Sequence, residues 1–302
     1  FWLKRNFPHV PPARSRISST CSGDCEDRSQ SPKMGQVVAS VAFQAPAKER
    51  SAKVLEARED LVYLTTEEED VIPAVHIRRS LGADRTILYS HGNAEDLGLI
   101  LGNLDRMAEA IHADILAYEY PGYSIADGRP SEENCYLAID AAYAYLTQQL
   151  NVDPRRIIAM GRSIGSGPTV DLVSRHPEIR GMVLLSAIAS GAAIFGPTLT
   201  KLGSNLDLDI FRNYEKVEDI SCPVLIMHSK DDRIVPIENG KLLHRACKNA
   251  VDPLWVDNCG HNNMPETVCC TRIREFLDQL DGLGFAYSIF LSKVASHMTV
   301  AL

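Results

Sequence analysis

From about residue 58 the chain alternates two kinds of hydrophobic pattern. Short β-branched or aliphatic runs stand at Thr86–Ser90, Asp114–Tyr120, Ile157–Met160, Met182–Ser186, Val224–His228 and Leu254–Val256. Runs of this length with little polar alternation are the signature of strands covered on both faces. Helical stretches lie between them. The clearest is 131–150 (SEENCYLAIDAAYAYLTQQL), with Ser131 as N-cap and Glu133 and Asn134 in its first turn. Residues 238–249 and 265–281 form the next two. Ahead of these, Leu61–Thr66 and Ile72–Ile77 flank the acidic turn EEED and read as an antiparallel hairpin. A hairpin followed by six strand-like runs alternating with helices predicts an eight-stranded, mostly parallel sheet with helices on both faces.

The flanks break this pattern. Residues 1–33 are rich in Pro, Ser and Arg and read as disordered, residues 34–57 as an apolar membrane-proximal or docking segment, 58–281 as the folded domain, and 282–302 as a tail of unassigned role. Residues 1–23 carry Lys4, Arg5, Arg14 and Arg16 without an apolar core, which argues against a secretory signal. The stretch 181–200 is uncharged, but its glycines and Pro197 suit a strand entering a loop better than a membrane span. A net charge of −8 argues against nucleic-acid binding. The eight cysteines form no CxxC pair and no zinc spacing, so they read as reduced thiols.

One stretch carries an ambiguity. IIAMGRSIGSGPTV at 157–170 holds GxxxGxG on Gly161, Gly165 and Gly167, as in dinucleotide-binding loops. It equally holds GxSxG centred on Ser163. A dinucleotide loop should follow the first strand of its domain, yet about four strand candidates precede this one. The Tyr-x-x-x-Lys pair of short-chain dehydrogenases is also missing. A nucleophile elbow instead requires an acid and then a histidine, each at a later strand end. Asp232, in the turn after 223–229, is chosen over Asp231 as the acid, and His261, in the loop NCGH before a helix, is the base. The second oxyanion donor should lie after the third strand, where SHGNA places the Asn93 backbone N–H beside that of Ile164. His91 reads as a support for that loop, and His76, His112, His176, His228 and His244 as ordinary histidines. These placements together predict an α/β-hydrolase fold with a Ser163–His261–Asp232 triad, needing no cofactor and no metal.

The motifs YSHGNAEDLG (89–98), YEYPGYSIADGRPSEEN (118–134), GRSIGSGPTVDL (161–172), VLIMHSKDDRIV (224–235) and PLWVDNCGHNN (253–263) resemble the alpha/beta hydrolase domain-containing protein 17 family, over about residues 37–280. The resemblance implies a serine hydrolase that removes long-chain acyl groups from S-acylated membrane proteins, acting as a peripheral protein on the cytosolic face of plasma or endosomal membranes. It implies the same three residues as the triad. Animal members open with a palmitoylated cysteine-rich segment, whereas only Cys21 and Cys25 precede the core here. A start at Met34 would expose Gly35 for myristoylation, with Ala39 where the motif wants Ser or Thr.

Several readings stay open at this level. Val37, Val38, Val41 and Phe43 serve either membrane contact or core packing. In the lid region at 187–215, Ile188, Ile194, Phe195, Leu199 and Leu202 line an acyl groove or cover the core. Cys259, two residues before His261, reads as an inert neighbour. A triad alone does not separate thioesterase from carboxylesterase, lipase or peptidase, and a membrane-attached scaffold of the same fold is the other alternative.

Overall fold

The computed structural model describes residues 43–46, 48–79, 84–195 and 209–282. The hairpin forms as β1 (Leu61–Thr65) and β2 (Val71–Ile77), with Leu61 opposite Val75 and Thr65 opposite Val71. The six further strands are β3 (Thr86–Ser90), β4 (Asp114–Tyr118), β5 (Ile157–Arg162), β6 (Gly181–Leu185), β7 (Val224–Ser229) and β8 (Leu254–Val256). Together they make one eight-stranded sheet in the order β1-β2-β4-β3-β5-β6-β7-β8. Only the β1/β2 and β2/β4 pairings are antiparallel. This is the eight-stranded, mostly parallel sheet of the α/β-hydrolase fold.

The uniform apolar runs have a simple cause. Along β3, Ile87 and Tyr89 face one core and Leu88 faces the other, and β5 divides Ile158 and Met160 from Ala159 in the same way. Both faces are dry, so alternation of polarity disappears. One core is closed by α2 (Leu97–Ile111) and α7 (Glu266–Leu280), with Leu104, Ile111, Ile273 and Phe276 buried against the sheet. The other is closed by α3 (Glu132–Ala144), α4 (Ser166–Arg175) and α6 (Glu238–Ala246), which bury Ile139, Val170 and Leu243. A single turn, α5 (Asn213–Lys216), follows the lid region.

Ser131 caps α3 as expected, its hydroxyl accepting the Asn134 N–H at 3.0 Å. The expected helix 131–150 is not regular to its end, however. After Ala144 it widens into a π-turn at Tyr145–Gln149, where the Leu150 N–H reaches back five residues to the Tyr145 carbonyl. The Thr147 hydroxyl donates to the Tyr143 carbonyl at 2.8 Å and competes with the backbone for it, which favours the wider turn. The uncharged stretch at 181–200 begins as β6 and leaves the sheet into a loop. Among the described residues no helix is long and apolar enough to cross a membrane.

Packing begins upstream of the expected boundary at 58. Lys48–Glu56 forms a helix, α1, that buries Ser51 and Leu55 against α2. The Ser51 hydroxyl bonds Asp96, which itself caps α2 by accepting the Leu99 N–H at 3.0 Å. Phe43 is buried, its ring edge-on to Phe211 with centroids 6.1 Å apart. Of the two readings open for Phe43, the structure selects core packing. Val37, Val38, Val41, Gly35, residues 1–33 and the tail from 283 onward lie outside the described residues. Replacing a buried Phe with Ala removes transfer energy and leaves a cavity, so Phe43→Ala should cost about 3 kcal/mol. The test is the urea midpoint of unfolding. A change under about 0.5 kcal/mol, the size of an ordinary surface substitution, would mean that Phe43 does not pack.

Candidate active site

The site is assembled at the carboxyl ends of β3, β5, β7 and β8. Ser163 directly follows β5 with φ at 54°, in the left-handed region that costs a non-glycine residue about 1–3 kcal/mol. Two glycines permit so abrupt a turn. A methyl group on Gly161 would stand 2.5 Å from the Gly165 carbonyl oxygen, and one on Gly165 would stand 2.3 Å from that of Ser90. The turn is then held by Ser166, whose buried hydroxyl donates to the Ser163 carbonyl at 2.6 Å and accepts the Ile188 N–H at 3.2 Å. The strained Ser163 is thereby fixed from below by its own helix and from the side by β3.

Ser163, His261 and Asp232 come together from positions up to 98 residues apart. The Ser163 hydroxyl lies 2.9 Å from His261 Nε2, and His261 Nδ1 lies 2.7 Å from Asp232 Oδ2. All three are buried, with His261 the most accessible at 9%. Asp232 Oδ1 accepts the N–H groups of Ile234 at 2.9 Å and Val235 at 2.8 Å. Burial works to raise the Asp232 carboxyl. Hydrogen bonds from His228 and His261, the Val235 N–H and the charge of His261 outweigh it, holding the group well below the usual carboxylate range. An ionised Asp232 requires hydrogen on His261 Nδ1, which leaves Nε2 free to accept the Ser163 proton. Asp231, the rejected alternative, is exposed and accepts the Asn258 N–H at 2.7 Å instead.

The expected oxyanion loop abuts the elbow. Ser90 pairs with Gly161 in the sheet, so the loops bearing Asn93 and Ile164 leave from adjacent strand ends. Asn93 is anchored through its side-chain oxygen, which accepts from the Tyr123 hydroxyl and the Gln44 N–H at 2.8 Å each and from the Ala94 N–H at 3.0 Å. Ile164 packs its side chain into the core. His91 has the supporting place expected of it. It is wholly buried, with Nε2 2.8 Å from Glu119 Oε1 and Nδ1 2.9 Å from the Gly92 carbonyl. Glu119 also receives the Leu97 N–H at 3.0 Å, and the Tyr120 hydroxyl donates to the His91 carbonyl at 2.7 Å.

His228 differs from its sequence reading as an ordinary histidine. It is fully buried, its Nε2 2.9 Å from the Val235 carbonyl and 3.4 Å from Asp232 Oδ2, the same oxygen that His261 Nδ1 contacts. Every residue of β7 is buried, so no break in polarity singled His228 out. Glu119 did leave a signal, since an acid inside the run DILAYEY must have a partner once buried. In the lid region, Ile188 is buried in the core and Ile194 packs against it, while Leu199 and Leu202 lie outside the described residues. A cavity of about 280 Å³ opens between α2 and α7, lined by Leu104, Met107, Met160, Leu185, Met264 and Ile273 together with Arg162 and His261. Ser163 is not part of its wall. Cys259 is buried, and burial pushes the thiols of Cys222 and Cys247 up to about 12, far from a reactive thiolate. Among the described residues no group of His, Cys, Asp or Glu is arranged to hold a metal ion.

Three kinds of similarity fit this geometry. A family model described as Chlamydia CHLPS protein (DUF818) matches residues 42–175. Alpha/beta hydrolase domain-containing protein 17C of Xenopus tropicalis is 37% identical over 199 residues, covering 66% of this chain and 63% of the relative. The Homo sapiens 17C protein is 34% identical over 205 residues, 68% of this chain and 61% of the relative. Alpha/beta hydrolase domain-containing protein aho-3 of Caenorhabditis elegans is 36% identical over 194 residues, 64% and 57%. The chain thus spans less than two thirds of the length of these relatives. Among solved structures, the Pyrococcus furiosus esterase Pf2001 superposes with a TM-score of 0.62 at 18% identity, covering 78% of this chain and 97% of its own. Est1E from Butyrivibrio proteoclasticus, solved with ferulic acid, gives 0.61 at 16% identity, covering 73% and 99%. At such identities these two show the shared fold.

The depressed Asp232 carboxyl has a thermodynamic consequence. Its folded pKa lies below the unfolded value of about 3.9, so the unfolded chain binds the proton more readily. The stabilisation is complete above that value and is lost as pH falls below it. Asp232→Asn has no such proton to bind. Its unfolding free energy should therefore decline less than the wild type's between about pH 4 and pH 2, as denaturant titrations at each pH would measure. Parallel declines in the two proteins would show that Asp232 gains nothing on folding.

Proposed function

Because the chain belongs to the alpha/beta hydrolase domain-containing protein 17 family, we propose that it is a serine hydrolase cleaving S-acyl thioesters, of the palmitoyl-cysteine kind, on membrane-associated proteins. The observation that carries the reading is the unbroken chain of short contacts from Ser163 through His261 to Asp232. Ser163 Oγ attacks the acyl carbonyl while His261 Nε2 takes its proton. Charge then builds on the carbonyl oxygen, toward which the Asn93 and Ile164 N–H groups are assigned as donors. The tetrahedral intermediate collapses, the cysteine sulfur leaves and takes the proton from His261, and the acyl group remains on Ser163. Water, deprotonated by His261 in turn, releases the fatty acid and restores the hydroxyl. Asp232 holds the imidazole in the required tautomer and stabilises its cationic form.

Support for the acyl class comes from the family, since triad chemistry serves oxygen and sulfur esters alike. The expected test has two arms. A fluorophosphonate should label the wild type and leave Ser163→Ala unlabelled; equal labelling would dismiss the triad. A palmitoyl-cysteine peptide should then be turned over faster than its oxo-ester analogue. Cleavage confined to short oxo-esters would instead favour a carboxylesterase, the alternative to which the structural neighbours named as esterases lend support.

Peripheral membrane attachment belongs to the same proposal. One acyl chain gives only marginal, reversible membrane binding, so a myristoyl group on Gly35 would act with a second apolar contact. For a chain beginning at Met34, Gly35→Ala should move most of the protein from the membrane to the soluble fraction on cell fractionation. An unchanged distribution would remove Gly35 from the account.

A further inference from the structure

Arg162 immediately precedes the nucleophile, yet none of the proton transfers above uses it. Its guanidinium lies mostly buried, with 14% of the side chain exposed, and contacts both loops that flank Ser163. Nη1 is paired with Glu95 Oε1. Nη2 donates to Asn262 Oδ1 at 2.8 Å and approaches the His261 carbonyl at 3.4 Å. Glu95 in turn uses its second oxygen, Oε2, to accept the Gly92 N–H at 3.0 Å, one residue before Asn93. The pair lies directly on that backbone, since a methyl group on Gly92 would meet Glu95 Oε2 at 2.9 Å and Arg162 Nη1 at 3.2 Å. A continuous line of bonds thus runs from the oxyanion loop, through Glu95 and Arg162, to the backbone of the catalytic base.

We propose that Arg162 and Glu95 form a clasp that sets the oxyanion loop, the nucleophile and the His261 loop at fixed mutual positions, which makes Arg162 a positioning residue for hydrolysis. The proposal rests on Ser163, His261 and Asp232 being the working triad. Three features separate the clasp from an ordinary surface ion pair, whose contribution is small. The pair is partly desolvated, with 14% and 24% of the two side chains exposed. Glu95 Oε2 and Arg162 Nη2 each hold a loop beside Ser163. Glu95 also neutralises a cation that stands beside the loop of a base that must itself become cationic. A guanidinium suits this place because its planar fork addresses two directions at once, which a lysine ammonium on a flexible stem does less well.

The test compares Ser163→Ala, Arg162→Met, Arg162→Lys, Glu95→Gln and the Arg162→Met/Glu95→Gln double variant, using hydrolysis of a p-nitrophenyl ester and circular dichroism. Displacement of catalytic groups by about an ångström costs on the order of 10²-fold, so Arg162→Met and Glu95→Gln should each lower kcat by roughly that factor. KM should stay within about twofold of wild type, as a positioning role predicts. Arg162→Lys should recover part of the loss. The double variant should be no slower than the worse single variant, since both break one unit. A kcat within about twofold of wild type in Arg162→Met, with Ser163→Ala inactive, would overturn the clasp and leave the triad intact. Losses that multiply in the double variant would also overturn it. Full activity in Ser163→Ala would instead overturn the triad on which the clasp depends. Should Arg162→Met fail to fold, the near-isosteric Glu95→Gln carries the same test.

Discussion

The turn at Ser163 constrains everything around it. A residue held at positive φ carries a local cost of about 1–3 kcal/mol, and that conformation persists only when its surroundings leave no alternative. Those surroundings are the near contact of Gly165 with the Ser90 carbonyl, the crossing of Gly161 under Gly165, and the hydroxyl of Ser166 on the Ser163 carbonyl. None of these gaps admits even a methyl group without movement. The order of β3 beside β5 follows from the same constraint, because the strand on that side must come close enough to bring its own loop against the elbow. The sheet order thus places the groups assigned to charge stabilisation next to Ser163.

Around this point the protein buries more ionisable groups than an apolar core tolerates unpaired. The side chains of Glu119, His91, Asp232 and His228 have no exposure, and each contacts at least one partner of opposite polarity. Burying a charge costs several kcal/mol unless hydrogen bonds replace the lost water, so each such group needs a partner fixed in place. Asp232 illustrates the balance. Desolvation works to raise its carboxyl, but two backbone N–H groups and two histidines favour the anion and outweigh it. His91 and Glu119 extend the same device beneath the oxyanion loop, tying it to β4 and to the start of α2.

The strand runs and the hairpin were legible because burial on both faces of a parallel sheet leaves continuous apolar segments, and each observed strand falls within two residues of its expected span. The positions of Ser163, Asp232 and His261 were legible for a related reason, since each follows the end of such a segment in the order a nucleophile elbow requires. Less was visible where structure depends on tertiary partners. Helix α2 begins LGLILG, whose glycines hide a period that Asp96 and the α1 contact nevertheless stabilise. His228 lies within a strand buried throughout, so its role depends on what stands across from it. Arg162 occupied a variable position of GxSxG, and its partner Glu95 is 67 residues away. Pairing over that separation is a property of the sheet order, and local pattern does not contain it.

The described structure divides the site into two parts with different physical character. Ser163, Asp232, His261, Asn93 and Ile164 lie on strand ends or on loops tied to them by short hydrogen bonds, and they lack freedom to adapt to different acyl groups. The cavity between α2 and α7 reaches His261, Arg162 and Asn262, while Ser163 is not among its lining residues. The segment after β6 is tied to the elbow directly. Its described flanks are anchored close to the elbow: Asn213 Nδ2 donates to the Ile188 carbonyl at 2.9 Å and lies 3.3 Å from the Ser166 hydroxyl. The described ends of the segment between β6 and α5 are in this way held at the same hydroxyl that secures the turn at Ser163.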